Sequence, residues 1–432
     1  MRIRQLGGED PSVTEYTLGI DIYGALTCAS VGRTPLLPRL VTIRWTPQDD
    51  VEYPYIVLFL SPSIQNLALD ITGDSNPRAS AKMRLSLLPQ LVSACPHMSH
   101  LTLCTEDAQD QPPRQEIEIA LSAIRQWSSL CCLEMEGLPE LSTLCVAKFS
   151  VLRKLVVRNP HETDGGYLIM PVKGFTNLEH LDIKASTVEF SATLFTCMSG
   201  TPLQTLQLEF GLDPESNQLS ELFMAIQCSI SHSSLQQLRI SYGSETELVE
   251  EDRSITFGEL SPLLAFTDLS EVSIKVNHEF RIGTKDLQVM ATKWPRLQTL
   301  ELISLRPSEY WPQVTIHDLA SFVPHFPLLE NLTMAFDASE VRLTAEKPGG
   351  NVRNEKLRTL EVLHSPIGEP GKVAAFLSDI FPNLRTIGVF QYEEGTAPVD
   401  FAELERKWKE VERYAALFSL VRTQERRGQS SR

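Results

Sequence analysis

The sequence predicts an α/β fold: a curved leucine-rich-repeat solenoid of about 13 irregular strand–helix repeats closed by a C-terminal capping helix. Three observations predict it. A phrase such as Leu178-Glu179-His180-Leu181-Asp182-Ile183, apolar at i, i+3 and i+5, returns along nearly the whole chain. The segments between its returns carry helical periodicity, and the returns cease near Val399, where a long amphipathic segment begins. A short repeat decides architecture because one unit cannot bury its apolar face alone, whereas stacked units share a continuous core.

Thirteen segments fit the template, with first anchors Leu40, Ile64, Met98, Leu130, Leu152, Leu178, Leu203, Leu235, Leu269, Leu297, Leu329, Leu357 and Leu384. Their mean spacing is about 29 residues, at the top of the leucine-rich range. The second and third anchors alternate, so Leu181 and Ile183 share one face of a short strand. Between strands, Gln218 to Ile230 reads as a helix, with Leu219, Leu222, Phe223, Ile226 and Ile230 three and four residues apart. Residues 116–127, 285–292, 317–322 and 372–381 read the same way. Phe175, Phe266, Trp294, Phe326 and Phe381 precede first anchors and are expected to plug the helix-to-strand corners.

Segments 70–82, 104–114, 242–254 and 335–355 are rich in Gly, Pro, Ser and charge and read as surface loops. Residues 245–252 pack five acids into eight positions; a solvated loop is the plain explanation, and docking of a basic segment the sharper one. Phe401 to about Thr423 reads as one helix whose face is Phe401, Leu404, Trp408, Val411, Tyr414 and Leu417, followed by a polar tail over 424–432. Met1 to Thr34 shows no helical period. The expected organisation is therefore an N-terminal cap or remnant over 1–35, repeats over 36–395, and helix plus tail over 396–432.

Of the 432 residues 42% are hydrophobic and 22% charged, enough apolar material for a core. A net charge of -16 argues against nucleic acid, whose phosphates need a basic face. No apolar run approaches the roughly 20 residues that span a bilayer, and Met1 to Asp10 is too polar for a signal peptide. The expectation is a cytoplasmic or nuclear protein with no membrane partner, its eight cysteines reduced and most of them acting as small hydrophobes.

Pro35-Leu36-Leu37-Pro38-Arg39-Leu40 running into Trp45, then Leu58-Phe59-Leu60-Ser61-Pro62-Ser63-Ile64, resembles the leucine-rich-repeat region of F-box-like proteins of mushroom-forming fungi. The resemblance continues through Cys95-Pro96-His97-Met98-Ser99-His100-Leu101-Thr102-Leu103 and covers roughly 36–395. In that family an N-terminal F-box docks on the adaptor of a cullin-type ubiquitin ligase, and the repeats capture the substrate. The resemblance therefore implies a non-catalytic substrate-recognition subunit, with adaptor and cullin as further partners if an F-box exists. Met1 to Thr34 departs from the family, having no Leu-Pro-x-Glu-Ile/Leu opening. The alternative is a leucine-rich scaffold or regulator unconnected to ubiquitination.

In the repeat template, the residues beside the anchors face away from the core, on the concave side where a protein substrate would bind. The column between the second and third anchors includes Asp182, Arg239, Glu301 and Glu361 and is mildly acidic. His180 and Lys184 flank Asp182 on the same strand. In the column after the third anchor, Ile303, Ala335, Leu363 and Phe390 form an apolar strip where earlier repeats carry charge. Such a strip suits protein capture. Alternatively, the 335–355 segment or the C-terminal helix covers it. These ten residues are the candidate site.

No catalytic, metal or cofactor site is expected. Cys95, His97, His100 and Cys104 are metal-ligand types, but the strand template explains them, and His100 and Cys104 would stand about 13 Å apart. Vicinal Cys131 and Cys132 would point to opposite strand faces. Asn331-Leu332-Thr333 matches a glycosylation acceptor, but Leu332 is a core anchor. The glycine pairs at 7–8, 165–166 and 349–350 make no phosphate cradle.

Overall fold

Parallel strand pairing, one strand per repeat, builds the molecule. The computed structural model describes residues 4–6, 20–29, 35–46, 50–70, 83–104, 114–136, 146–158, 174–185, 187–242, 254–305, 311–342, 352–390 and 401–430. The acidic stretch 245–252, the three glycine pairs, Cys145 and most of the four loop segments lie outside these residues. The chain divides into two compact units, Met1–Leu203 and Gln204–Arg432.

In the first unit the strands are β1 (Gln5–Leu6), β2 (Thr42–Trp45), β3 (Asn66–Asp70), β4 (His100–Cys104), β5 (Cys132–Glu136), β6 (Lys154–Arg158) and β7 (His180–Ala185). Each pairs with the next in parallel. The register joins anchor to anchor: Ile43, Leu67, Leu101, Leu133, Leu155 and Leu181 form one row, Trp45, Leu69, Leu103, Met135, Val157 and Ile183 the next. All twelve are buried. A one-residue slip would turn each row to the other face, so the leucines fix the pairing whatever the length between strands. Helices α1 (Ile20–Ala29), α2 (Leu88–Ala94), α3 (Arg114–Ile124) and α4 (Val188–Thr196) lie between strands.

The N-terminal expectation is corrected here. Residues 20–29 form a helix, and its Tyr23 is buried, stacked on Tyr55 at 5.2 Å and tilted against Trp45 at 5.8 Å. Helical period was hidden because one aromatic side chain, rather than a leucine stripe, holds the helix. β1 also extends the ladder before residue 36.

The second unit holds β8 (Thr205–Phe210), α5 (Ser216–Ser229), β9 (Gln237–Tyr242), β10 (Ser254–Thr256), α6 (Phe257–Leu260), β11 (Glu271–Val276), β12 (Glu279–Arg281) and α7 (Thr284–Lys293). It continues with β13 (Thr299–Ser304), α8 (Ile316–Phe322), β14 (Asn331–Thr333), β15 (Thr359–Glu361), α9 (Pro370–Ile380), β16 (Thr386–Gly388) and α10 (Phe401–Ser430). Leu206, Leu238, Val272, Leu300, Leu332, Leu360 and Ile387 align across parallel strands β8, β9, β11, β13, β14, β15 and β16. Of the anchors, only Leu384, in the last repeat, is not fully buried. Each buried leucine or isoleucine contributes about 1.5–3 kcal/mol as an upper bound.

The five corner aromatics are buried, and four of them close the same turn: the anchor N–H of Leu178, Leu297, Leu329 and Leu384 donates to the carbonyl of Phe175, Trp294, Phe326 and Phe381 at 3.2–3.3 Å. A second short ladder leads into the helices: β10 pairs with β12, and Thr315, Asp337, Ala338 and Ile367 add isolated bridges. Part of the 335–355 loop reading is thereby corrected, since Phe336 and Ala338 are fully buried. Capping boxes start several helices, as where the Thr315 backbone N–H donates to Asp318 Oδ2 at 2.9 Å.

Helix α10 runs to Ser430, past the expected start of the tail at Gln424. Residues 424–427 are Gln-Glu-Arg-Arg, all good helix formers, so nothing there stops it. Its packed face is also corrected. Trp408, Val411 and Ala415 are buried, while Tyr414 and Leu417 are 40% and 57% exposed. Trp408 Nε1 donates to the Ser365 carbonyl at 3.0 Å, and Arg422 bonds the Ala375 carbonyl at 3.0 Å.

Candidate functional site

Along most strands the buried anchors alternate with half-buried or exposed side chains, which form the open face of the sheet; Val156 of β6 and Thr333 of β14 are buried instead. His180, Asp182 and Lys184 lie on this face of the first unit; the other seven candidates lie in the second. His180 and Lys184 are exposed, and Asp182 accepts from Arg158 at 3.4 Å. Lys154 pairs with Glu134 at 3.5 Å, and Thr102 also donates to Glu134 at 3.4 Å. Thr102 and Glu134 also line a groove of ≈ 600 Å³, together with Arg44, His100 and Glu136 among others.

In the second unit Arg239 makes a two-pronged bond to Glu271, Nε to Oε1 at 2.5 Å and Nη2 to Oε2 at 2.8 Å. That fork holds its guanidinium charge above the ordinary range. Glu301 accepts the Ser273 hydroxyl at 2.6 Å. Two strands along at the same level stands Glu361, whose carboxyl is raised by burial first and by Glu301 and Glu412 second. Glu412, from α10, accepts the Ile387 N–H at 3.0 Å. Gly388 lies against Glu361, and a Cβ there would overlap its carboxylate.

Ile303, Ala335 and Phe390 are half-buried, and Leu363 is only 4% exposed. The expectation of an accessible strip is therefore corrected at Leu363, which belongs to the packed interior and holds a left-handed φ of 52°. Phe390 leans on His364 with ring centroids 4.7 Å apart, and Phe401 of α10 approaches the same ring at 6.5 Å. Burial in this aromatic setting lowers His364 to about 4, against a hydrogen bond with the Ser304 backbone that pulls it upward.

The structure adds a feature with no repeat signature. A cavity of ≈ 330 Å³ opens at the carboxyl ends of β13 and β14, lined by Leu302, Met334, Ala335 and Leu363 on one side and by Phe280, Arg281, Trp311 and Val314 on the other. Trp311 is 66% exposed at this cavity. The far wall comes from β12 and from residues 311–314, which lie between templates. A lone tryptophan before Pro312 in a segment without apolar period was the one sequence signal for it.

Among the described residues no group of three or more His, Cys, Asp or Glu side chains is placed to hold a metal ion. Burial raises the Cys95 and Cys132 thiols to about 11, so both stay protonated and unreactive near neutrality. Among the described residues no helix is long and apolar enough to cross a membrane.

No family model and no curated protein matches the chain. Among solved structures it is similar to a chain in the crystal structure of the Rad7 and Elc1 complex in yeast, at 15% identity over 88% of this chain and 86% of that one, with a TM-score of 0.38. A likeness at that level carries no inference about function.

Proposed function

We propose that both units are stretches of leucine-rich repeats and that the chain is a non-catalytic protein-binding module, acting as the substrate-recognition subunit of an F-box-type ubiquitin ligase in the cytoplasm or nucleus. The observation that supports the binding role is the second unit's open face. There Glu301 and Glu361 stand on strands whose neighbours Ala335 and Leu363 line a cavity bearing an exposed tryptophan. A scaffold of buried leucines holds that face, and apolar hollows with aromatic rims are where binding energy concentrates. The ligase connection rests on the resemblance of residues 36–395 to fungal F-box-like proteins. Binding is noncovalent in this reading, and the ligase's other subunits supply the chemistry.

A second reading is favoured by one observation. The described N-terminal residues are attached to the repeats, β1 through its ladder bonds and α1 through Tyr23, as a cap would be. On that ground the chain is a leucine-rich scaffold or regulator without a ligase. Retention of the ligase adaptor by the purified chain separates the two. Stoichiometric capture supports the ligase; no capture at micromolar concentrations of both proteins leaves the scaffold reading standing.

A further inference from the structure

Building on the protein-binding role, we propose that the cavity at the carboxyl ends of β13 and β14 takes one bulky apolar side chain of an extended partner segment, and that a lysine or arginine about two residues away meets Glu361 and Glu301. The volume of ≈ 330 Å³ lies at the low end for ligand pockets, suited to a single anchoring side chain. Its walls are mainly apolar, from Leu302, Met334, Leu363, Phe280 and Val314. Trp311, 66% exposed there, leaves a large ring in water that an incoming apolar group would cover. Leu363 keeps a φ of 52°, a conformation L side chains resist, and such strain gathers at binding sites.

Charge fixes the second half of the segment. Glu361 precedes Leu363, which lines the cavity, by two residues, so its backbone lies within about 7 Å of the cavity wall, and Glu301 stands two strands away at the same level. That distance equals two residues of an extended chain. Glu361 makes no ion pair among the described residues, and the carboxylates of Glu301 and Glu412 crowd it. Arg239 is already forked onto Glu271. A cation that relieves this crowding comes from the partner.

The test uses the full chain and fluorescein-labelled peptides of the form Gly-Ser-Φ-Ser-Lys-Ser-Gly, where Φ is Leu, Phe or Trp, read by anisotropy. Binding with Kd below about 100 µM is expected for at least one Φ, weakened about tenfold when Φ becomes Ala and about fivefold when Lys becomes Glu. Trp311→Ala and Ala335→Trp should each weaken it about tenfold, and Glu361→Gln should erase the preference for Lys over Glu. Ala335→Trp could disturb folding, so Trp311→Ala, at an exposed position, carries the decision. No binding by any of the peptides, or equal binding by Trp311→Ala, overturns the proposal. Self-association abolished by Trp311→Ala would overturn it too, by showing a second copy as the occupant. Adaptor retention is measured on the same samples: peptide binding without it sinks only the ligase reading, and retention without peptide binding sinks only this one.

Discussion

Gly388 and Glu361 show how a single side chain is placed on the open face. The glycine leaves room into which the carboxylate folds, and a Cβ would occupy the space of its oxygens. The obstructing atoms belong to the free end of a flexible side chain, so Gly388→Ala should shift the carboxylate rather than unfold the protein. The expected result is a change in stability within about 1 kcal/mol by urea titration, together with loss of the Lys-over-Glu peptide preference. His364 makes the opposite case, a polar ring held neutral by burial. Its folded value of about 4 lies below its ordinary 6.5, so the unfolded chain takes up the proton first as pH falls. The stability from keeping it neutral is complete above pH 6.5 and is lost between 6.5 and about 4, amounting to roughly 3 kcal/mol at most. Urea midpoints at pH 7 and pH 4.5 should therefore diverge more in the native chain than in His364→Leu.

Elements were legible to the extent that their pattern repeats. Every anchor triplet found by spacing lies on or directly beside a strand of the ladder, because that spacing recurs thirteen times and the core admits nothing else. Helix α10 occurs once, and its inward face was misjudged for a physical reason: Ala415 hides against α9 because it is small, while Tyr414 and Leu417 turn to water. Trp408→Ala should destabilise by about 3–5 kcal/mol and Leu417→Ser by less than about 0.5 kcal/mol. Arg84 also escaped the sequence, being a buried cation in an apolar scaffold. It is 1% exposed, reaches Asp50 at 2.9 Å and the Asp70 carbonyl at 3.2 Å, and lies 4.6 Å over the Tyr53 ring. Removing it takes a buried cation from beside Asp50 and Asp70 and from over the Tyr53 ring, so Arg84→Ala should cost about 2–4 kcal/mol in urea unfolding and Arg84→Lys part of that.

Across the whole molecule, function separates from fold by side-chain direction. Inward residues repeat and read as architecture; outward ones change from strand to strand, and the proposed function places specificity on them. The acidic column and the apolar turn after Leu302 were visible in the sequence because they sit on template positions. The cavity was not, since Phe280, Arg281, Trp311 and Val314 come from segments outside the leucine template. In the proposed function a protein partner is captured on this face of the second unit. Proximity labelling in cells, comparing the native chain with Trp311→Ala combined with Glu361→Lys at matched abundance, tests it most directly. A defined set of labelled proteins should fall at least about fivefold with the double variant, while its thermal midpoint stays within a few degrees. An unchanged set of labelled proteins would contradict it.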